Sequence, residues 1–239
     1  MHTNNVKIKN LHVGKTPILS IAFIAILAAS HVQAQTSFGL RIGGNASQIV
    51  GAVPVMSPPQ WITGVDPVFK GGFQFGPVVE FRFSDMVAIQ PAVLFNLIGG
   101  EFNIHSENIT NTATWNTSYL QVPLDLMLTF GWFSIHAGGY FGYGLRAMAN
   151  YSFLRNRVDL FDSIGNGGWG MARTDFGVRG GIGFNFGNSQ FSITYSFGFA
   201  QLFNPDDFQG IIPNHRSISA TNHAISITAT HFFRRELEL

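Results

Sequence analysis

The sequence predicts an all-β protein, an eight-stranded antiparallel up-and-down transmembrane β-barrel. Apolar side chains recur at every second residue in eight successive segments, which is the period of a strand with one apolar face. Long and short connections alternate between these segments. The apolar face carries bulky residues, whereas the opposite face is mostly small or polar. Because the lumen of an eight-stranded barrel barely holds side chains, the bulky face points outward and its solvent is lipid.

Composition excludes several other classes of protein. Only 11% of the residues are charged, against about a quarter in a soluble domain. The 24 Phe residues argue against a disordered chain. The sequence has 0 Cys, which excludes a disulfide scaffold, a thiolate metal site and a cysteine nucleophile.

The N-terminus has the features of a secretory signal peptide over residues 1–34. A basic leader precedes the apolar stretch 18–29, and residues 32–34 have the small-residue pattern that signal peptidase recognises. The apolar stretch is short for a membrane anchor, which needs about 20 residues. Cleavage after Ala34 leaves a barrel domain over 35–239 and takes three lysines with it, so the formal net charge falls from +1 to −2. No basic patch for nucleic acid remains.

Each predicted strand is set by the alternating apolar residues of its outward face. In chain order these segments are 38–42, 73–83, 87–97, 120–130, 133–145, 176–186, 191–199 and 225–229. Turn-forming residues predict tight hairpins at 84–86, 131–132 and 187–189. The long polar links are 46–68, 101–117, 150–173 and 203–220. This alternation puts the long loops on one rim and the short turns, with both termini, on the other, which is periplasmic in bacterial outer-membrane barrels.

Aromatic residues flank the short turns, as in an interfacial girdle. The predicted girdle comprises Phe83, Phe130, Trp132, Phe133, Phe186 and Phe191.

Four segments resemble the PorT-like outer-membrane β-barrel family of Gram-negative bacteria. They are FGLRIGGNAS (38–47), YLQVPLDLML (119–128), HAGGYFGYGL (136–145) and DFGVRGGIGFNF (175–186). The resemblance spans roughly 36–233 and implies a small outer-membrane barrel. It implies, for some members, a role in assembling a protein secretion apparatus, but the shared motifs are strand motifs and none identifies that role. Such barrels often end on an aromatic residue, whereas here the tail 234–239 follows Phe233.

A set of polar and charged residues shares the inward-facing positions of the strands. It comprises Arg41, Glu80, Arg82, Gln90, Asp125, His136, Asp175 and Arg179. Charges in a narrow lumen must be paired or hydrated. The set therefore forms either a charge-balanced plug or a gate that responds to protonation of His136. The plug is favoured because so small a barrel has little room for water.

Enzymatic and metal sites have little support in the sequence. Ser134, His136 and Asp125 supply the residue types of a catalytic triad, but a triad depends on geometry, and these residues lie far from the loop rim. The histidines show no metal-ligand spacing. We expect no enzymatic activity, no cofactor and no metal.

The predicted long loops carry aromatic and arginine residues that suit recognition. These are Trp61, Trp115, Trp169 and Phe208, with Arg155, Arg157 and Arg173. Exposed, they would bind a partner or a lipid-A phosphate, or form an ordinary interface belt.

We therefore expect an integral protein of the cell outer membrane with a structural or protein-interaction role. The alternatives are a narrow pore for ions or small solutes and, third, an enzyme that modifies lipid or peptide. The expected partners are outer-membrane lipid and lipopolysaccharide, together with a membrane or periplasmic protein, and no nucleic acid.

Overall fold

The computed structural model describes residues 35–53, 62–106, 110–152, 157–211, 216 and 218–233. Four features predicted above lie outside these described residues: the signal peptide 1–34, the loop residues Trp61 and Arg155, and the tail 234–239.

The described residues form one antiparallel sheet of strands, as the period-two pattern predicts. The strands are β1 (Gln35–Ala52), β2 (Ile62–Val68), β3 (Lys70–Arg82), β4 (Val87–Pro91), β5 (Leu94–Ser106), β6 (Thr110–Phe130), β7 (Phe133–Tyr151), β8 (Val158–Asp159), β9 (Thr174–Phe186), β10 (Ser189–Gly198) and β11 (Ser219–Phe233). Short 3-10 helices lie at Ile164–Asn166 and Pro205–Phe208. No helix within the described residues is long and apolar enough to cross a membrane.

The sheet closes on itself into a ring of eight wall strands. β1 pairs with β3 on one side and with β11 on the other, from Phe38 opposite Phe233 to Ala52 opposite Ser219. β4 and β5 together form the third wall strand, and β6, β7, β9 and β10 complete the ring. Closure pairs the backbone groups of both edges, which a strand in hydrocarbon requires. The predicted eight-stranded barrel is confirmed.

The tight turns lie where the sequence predicts them. Gly131 between β6 and β7 and Gly187 between β9 and β10 have φ of 64° and 56°. In this left-handed region glycine has no Cβ to clash with the backbone. Both ends of the described barrel lie on this short-turn rim, because Gln35 lies opposite Arg82 and Phe233 lies opposite Phe38.

Two of the predicted long loops are largely strand. The loop predicted over 46–68 contains the end of β1 and all of β2, and that over 101–117 is a hairpin of β5 and β6. Apolar and polar residues still alternate in these segments, but the apolar residues now point into the barrel and the polar residues point outward. Phe102, for example, is buried, whereas Glu101 is only half-buried. Beyond the membrane the outer face meets water, so polar residues point outward and apolar residues point inward.

A bulge in β7 turns one arginine outward. The pairing of β6 with β7 passes from Tyr119–Gly144 to Ser118–Arg146, which leaves Leu145 as an extra residue. A bulge shifts the alternation by one position. Leu145 and Arg146 are therefore both exposed.

Candidate functional site

The wall of the barrel separates an apolar outer face from a polar inner face. On β1, Phe38, Leu40 and Ile42 are 63%, 55% and 66% exposed, whereas the intervening Arg41 is 4% exposed. The same alternation follows β6, β9 and β10. An apolar surface this extensive does not face water in a soluble monomer. It is the lipid-facing wall of a transmembrane barrel.

A hydrogen-bonded chain of polar side chains crosses the lumen above the short-turn rim. Arg82 donates to Glu80 Oε1 through Nε and Nη2, at 3.2 and 2.9 Å. Gln90 donates to Glu80 Oε2 at 2.9 Å and accepts from Arg41 Nη2 at 2.8 Å. Arg41 Nε donates to Thr230 Oγ1 at 3.0 Å. The chain links β3, β4, β1 and β11.

Asp125 extends this chain to the far wall of the barrel. Its carboxylate lies 3.6 Å from Arg41 Nη1 and 3.2 Å from Arg179 Nε. The three side chains are buried. Burying charges is costly, and mutual attraction offsets that cost only where the ions are closely paired. Two groups of ion pairs, joined by the hydrogen bonds of the neutral Gln90, thus form one network, which we call the lumen network: Arg41, Glu80, Arg82, Gln90, Asp125 and Arg179.

His136 lies beside the lumen network and takes no part in a catalytic triad. Its Nε2 is 3.0 Å from Thr194 Oγ1. Asp125 is engaged by two guanidinium groups, and His136 Nδ1 has no hydrogen-bond partner among the described residues, so the hydrogen bond that a triad requires from the histidine to the carboxylate is not assembled. Ser134 is fully buried, which removes it from any substrate entering at the rim.

Asp175, the remaining predicted residue, sits nearer the long-loop rim. It accepts hydrogen bonds from Asn222 Nδ2 at 3.0 Å and from the Tyr140 hydroxyl at 3.5 Å. Its partners are neutral, which separates it from the lumen network.

Sequence analysis missed an amide ladder that joins β1, β5 and β6. Asn45 Nδ2 donates to Asn96 Oδ1 at 3.0 Å, and Asn96 Nδ2 donates to Gln121 Oε1 at 3.1 Å. All three residues occupy inward positions, so the alternation that identified Gln90 also contained this signal.

The long-loop end of the lumen is filled by apolar side chains. We call this cluster the apolar cap; it comprises Ile49, Phe102, Ala113, Trp115, Ala147, Ala149, Leu160, Met171, Leu202, Phe203, Phe208, Ile218 and Ala220. Trp115 and Phe208 are each 3% exposed, so both alternatives that require exposed loops, partner recognition and an interface belt, are wrong for these two residues. Trp169 packs against the cap, partly buried.

Backbone hydrogen bonds hold two loops over the long-loop end of the lumen, one between β7 and β9 and the other between β10 and β11. Leu160 N donates to Ala147 O at 2.9 Å, and Met171 N donates to Leu160 O at 2.8 Å. Leu202 N donates to Ala220 O at 2.9 Å and joins the second loop to β11. Arg173 is exposed, and its guanidinium stacks over the Phe161 ring, 4.4 Å from the ring centroid, at the margin of the cap.

Among the described residues, no group of three or more His, Asp and Glu could hold a metal ion.

The family model for the outer membrane protein beta-barrel domain matches residues 33–204. The chain belongs to this outer membrane β-barrel family. Membership places it in the outer membrane. A search of curated proteins gave no significant match.

Solved structures of small outer-membrane barrels resemble this family member. Ail of Yersinia pestis, in complex with the heparin analogue sucrose octasulfate, is 11% identical, with 83% of this chain and 99% of Ail covered and a TM-score of 0.45. Neisserial surface protein A is 10% identical, with coverages of 82% and 97% and a TM-score of 0.45. OprG of Pseudomonas aeruginosa is 12% identical, with coverages of 85% and 100% and a TM-score of 0.38.

The predicted girdle residues lie around the short turns of this outer-membrane barrel. Phe83, Phe130, Trp132, Phe186 and Phe191 are exposed, and Phe133 is half-buried. Trp132 stacks on Phe184 with ring centroids 5.7 Å apart, and Phe184 also contacts Phe133 at 6.0 Å. Aromatic girdles flank the apolar band of outer-membrane barrels at this level, and Trp132 adds an amphipathic ring that suits the boundary between hydrocarbon and headgroups.

Proposed function

We propose that this outer-membrane barrel is a closed protein with a structural or protein-interaction role. The observation that carries the proposal is that the lumen is obstructed twice, by the lumen network near one rim and by the apolar cap near the other. A water-filled path needs both obstructions to open. Separating Asp125 from its arginines leaves buried charges unpaired, and opening the cap exposes apolar side chains to water.

The extracellular end offers a surface for a protein partner. Four strands extend past the apolar, lipid-facing part of the wall: β2, β5, β6 and β7. Their outer faces carry polar residues such as Asp66, Asn103 and Thr112. A rigid sheet that projects from the membrane suits recognition better than transport. We propose a membrane protein as the partner at this sheet, or a periplasmic protein at the opposite, short-turn rim, with outer-membrane lipid and lipopolysaccharide around the wall. Within the family, we propose that the chain belongs to the PorT-like group.

A narrow pore is the second candidate, and one observation favours it. A polar cavity of about 200 Å³ opens at the short-turn rim and is lined by residues that include Glu80, Arg82, Asn185 and Gln190. Water can therefore reach the edge of the lumen network from that side.

Single-channel recording in planar bilayers separates the two candidates. The purified full-length protein is expected to insert without conducting, because both obstructions are intact. Folded insertion is verified by protease protection and by the heat-dependent gel mobility typical of such barrels. Reproducible unitary conductance from the inserted protein would overturn the proposal and establish the pore.

Partner identification tests the interaction role directly. Crosslinking in native membranes, followed by mass spectrometry, is expected to recover one protein, either a membrane protein attached to the projecting sheet or a periplasmic protein attached to the short-turn rim. Recovery of lipid alone would leave only the structural role.

A further inference from the structure

Asp175 is the buried acid of the lumen that has no cationic partner among the described residues. Glu80 and Asp125 are each paired with arginine. Asp175 is 2% exposed, and its hydrogen bonds come from Asn222 and Tyr140, which are both neutral. An ionised carboxylate that is buried without a compensating charge is strongly unfavourable. The surroundings of Asp175 therefore lack one positive charge.

Two buried oxygen atoms in this part of the lumen are without a partner. Asp175 Oδ1 and the Tyr119 hydroxyl have no hydrogen-bond partner among the described residues. The two side chains flank Gly142, where a Cβ would lie 3.8 Å from Asp175 Cβ and 3.4 Å from Tyr119 Cδ1. Tyr119 is 1% exposed, so bulk water does not reach it. Buried polar atoms are normally satisfied by the protein or by something bound to it.

Three oxygen atoms converge on the inner face of Gly198. A Cβ at this glycine would lie 3.2 Å from Asp175 Oδ1, 3.1 Å from the Tyr140 hydroxyl and 2.7 Å from the Asn222 carbonyl oxygen. Gly177, opposite Gly198 on β9, also takes an inward position. Because neither glycine has a side chain, the space in front of the carboxylate is left to the oxygen atoms.

The free oxygen of Asp175 lies inside the barrel, between the lumen network and the apolar cap. On β7, Gly142 stands opposite Asp175, and Gly138 stands opposite Arg179 of the network. Ala147, a member of the cap, follows further along the same strand. The carboxylate is therefore enclosed by protein and separate from both obstructions.

From the missing charge and the free oxygens, we infer that Asp175 binds one monovalent metal cation, with Na⁺ as the ion to test. Oxygen ligands suit hard cations. One carboxylate compensates one positive charge, whereas a divalent ion would leave a buried excess. Water would partner the free oxygens without supplying the charge, and a proton on Oδ1 would have no acceptor within reach. This site goes beyond the closed-barrel proposal.

The dependence of stability on Na⁺ tests the inference on the full chain. The protein is refolded into phosphatidylcholine vesicles in NaCl or in N-methyl-D-glucamine chloride at equal ionic strength, and is then unfolded with urea. A ligand that binds only the folded state shifts the equilibrium by mass action, so the unfolding constant is expected to fall about tenfold for each tenfold rise in Na⁺ at saturation. Equal stability in the two salts would overturn the inference.

Two isosteric variants decide whether the effect belongs to Asp175. Asp175→Asn removes the charge at nearly constant size and is expected to abolish the dependence on Na⁺. Asp85→Asn is the matched control, because Asp85 is exposed in the turn between β3 and β4, and it is expected to retain the dependence. The same Na⁺ dependence in both variants would contradict the inference.

A second pair of variants tests the free hydroxyl. Tyr119→Phe deletes one of the two unpartnered oxygens and is expected to weaken Na⁺ binding about tenfold, the effect of losing one ligand contact. Tyr143→Phe removes an exposed hydroxyl from the outer wall and is expected to leave Na⁺ binding unchanged. Equal affinities in these variants would remove Tyr119 from the site. Should Asp175→Asn fail to fold, this pair replaces it, and equal affinities then overturn the inference.

Infrared spectroscopy tests a proton as the alternative occupant. We expect no carbonyl band of a protonated acid from Asp175, because a bound cation leaves the carboxylate ionised. A band of this kind that disappears in Asp175→Asn, together with equal stability in the two salts, would assign the site to a proton and overturn the inference.

Discussion

At the scale of single residues, Asp125 links two sides of the barrel wall through ion pairs. Its carboxylate pairs with Arg41 from β1 and Arg179 from β9, which lie on different sides of the ring. All three groups are buried, so each depends on the others for the compensation of its charge. Removing one member leaves a charge that water cannot reach.

The first prediction is that Arg179→Ala destabilises the barrel. The variant leaves Asp125 with the 3.6 Å contact to Arg41 alone, and the loss of one partner of a buried ion pair costs about 3 kcal/mol. Urea unfolding of the reconstituted protein measures the change. Arg146→Ala is the matched control, because Arg146 is exposed on the outer wall, and it is expected to change the free energy of unfolding by less than about 0.5 kcal/mol. Equal losses in the two variants would contradict the ion-pair argument.

The second prediction concerns Gln90, which bridges opposite charges. Gln90→Leu leaves Arg41 Nη2 without its acceptor and Glu80 Oε2 without its donor, at an expected cost of about 2 kcal/mol in the free energy of unfolding. Gln48→Leu removes one exposed hydrogen bond and is expected to cost about 0.5 kcal/mol or less. Both are measured by the same urea titration. The bridging role is refuted if Gln48→Leu is the more destabilising.

Sequence analysis could predict which polar residues face the lumen but not how they pair. Alternation along β1 determines that Arg41 points inward. Its partner Gln90 lies on β4, beyond β3, and so depends on the stagger of strands around the ring. That stagger is a property of the closed sheet, and no pattern within a single strand records it.

At the scale of elements, the strands are longer than the membrane. β6 runs from Thr110 to Phe130, and its outward apolar residues begin at Leu120. The lower half spans the lipid, since a tilted strand needs about 9–11 residues to cross. The upper half stands in water, where the alternation inverts and Trp115 turns into the cap. The prediction that 46–68 and 101–117 are loops was wrong for this reason, since both segments are largely strands that continue beyond the membrane.

The third prediction belongs to the turn between β9 and β10. Gly187 has φ of 56°, so Gly187→Ala adds a Cβ in a left-handed conformation and is expected to cost about 1 kcal/mol. Gly165→Ala is the control, because Gly165 has an ordinary φ and open space around it. Its effect on the urea midpoint is expected to be negligible. A larger shift for Gly165→Ala would rule out the backbone explanation.

On the scale of the whole molecule, the lumen network and the apolar cap close the barrel in series. The network relies on charge pairing, whereas the cap relies on exclusion of water from packed rings such as Trp115 and Phe203, 5.7 Å apart. In the proposed closed barrel we expect each obstruction to block ions by itself, because ions cross neither an apolar constriction nor an unhydrated charge pair cheaply.

The fourth prediction follows from this series arrangement. Arg179→Ala and Phe203→Ala are each expected to remain silent in planar bilayers, because the other obstruction persists. The double variant is expected to conduct. Conductance from Phe203→Ala alone would show that the lumen network does not block ions, and a silent double variant, shown to be inserted and folded, would show that further residues close the lumen.

The sequence by itself determined the strand period, the tight turns, the outward apolar face and therefore the closed barrel. These depend on local alternation and on the requirement that backbone groups in hydrocarbon be paired. The tertiary structure alone decided the partners of Arg41 and Asp125, the apolar cap and the change of neighbour along β5 from β3 to β2. Each of these joins residues from separate strands or loops, and their distances are set by strand stagger and chain return, which the closed ring fixes and a single segment does not.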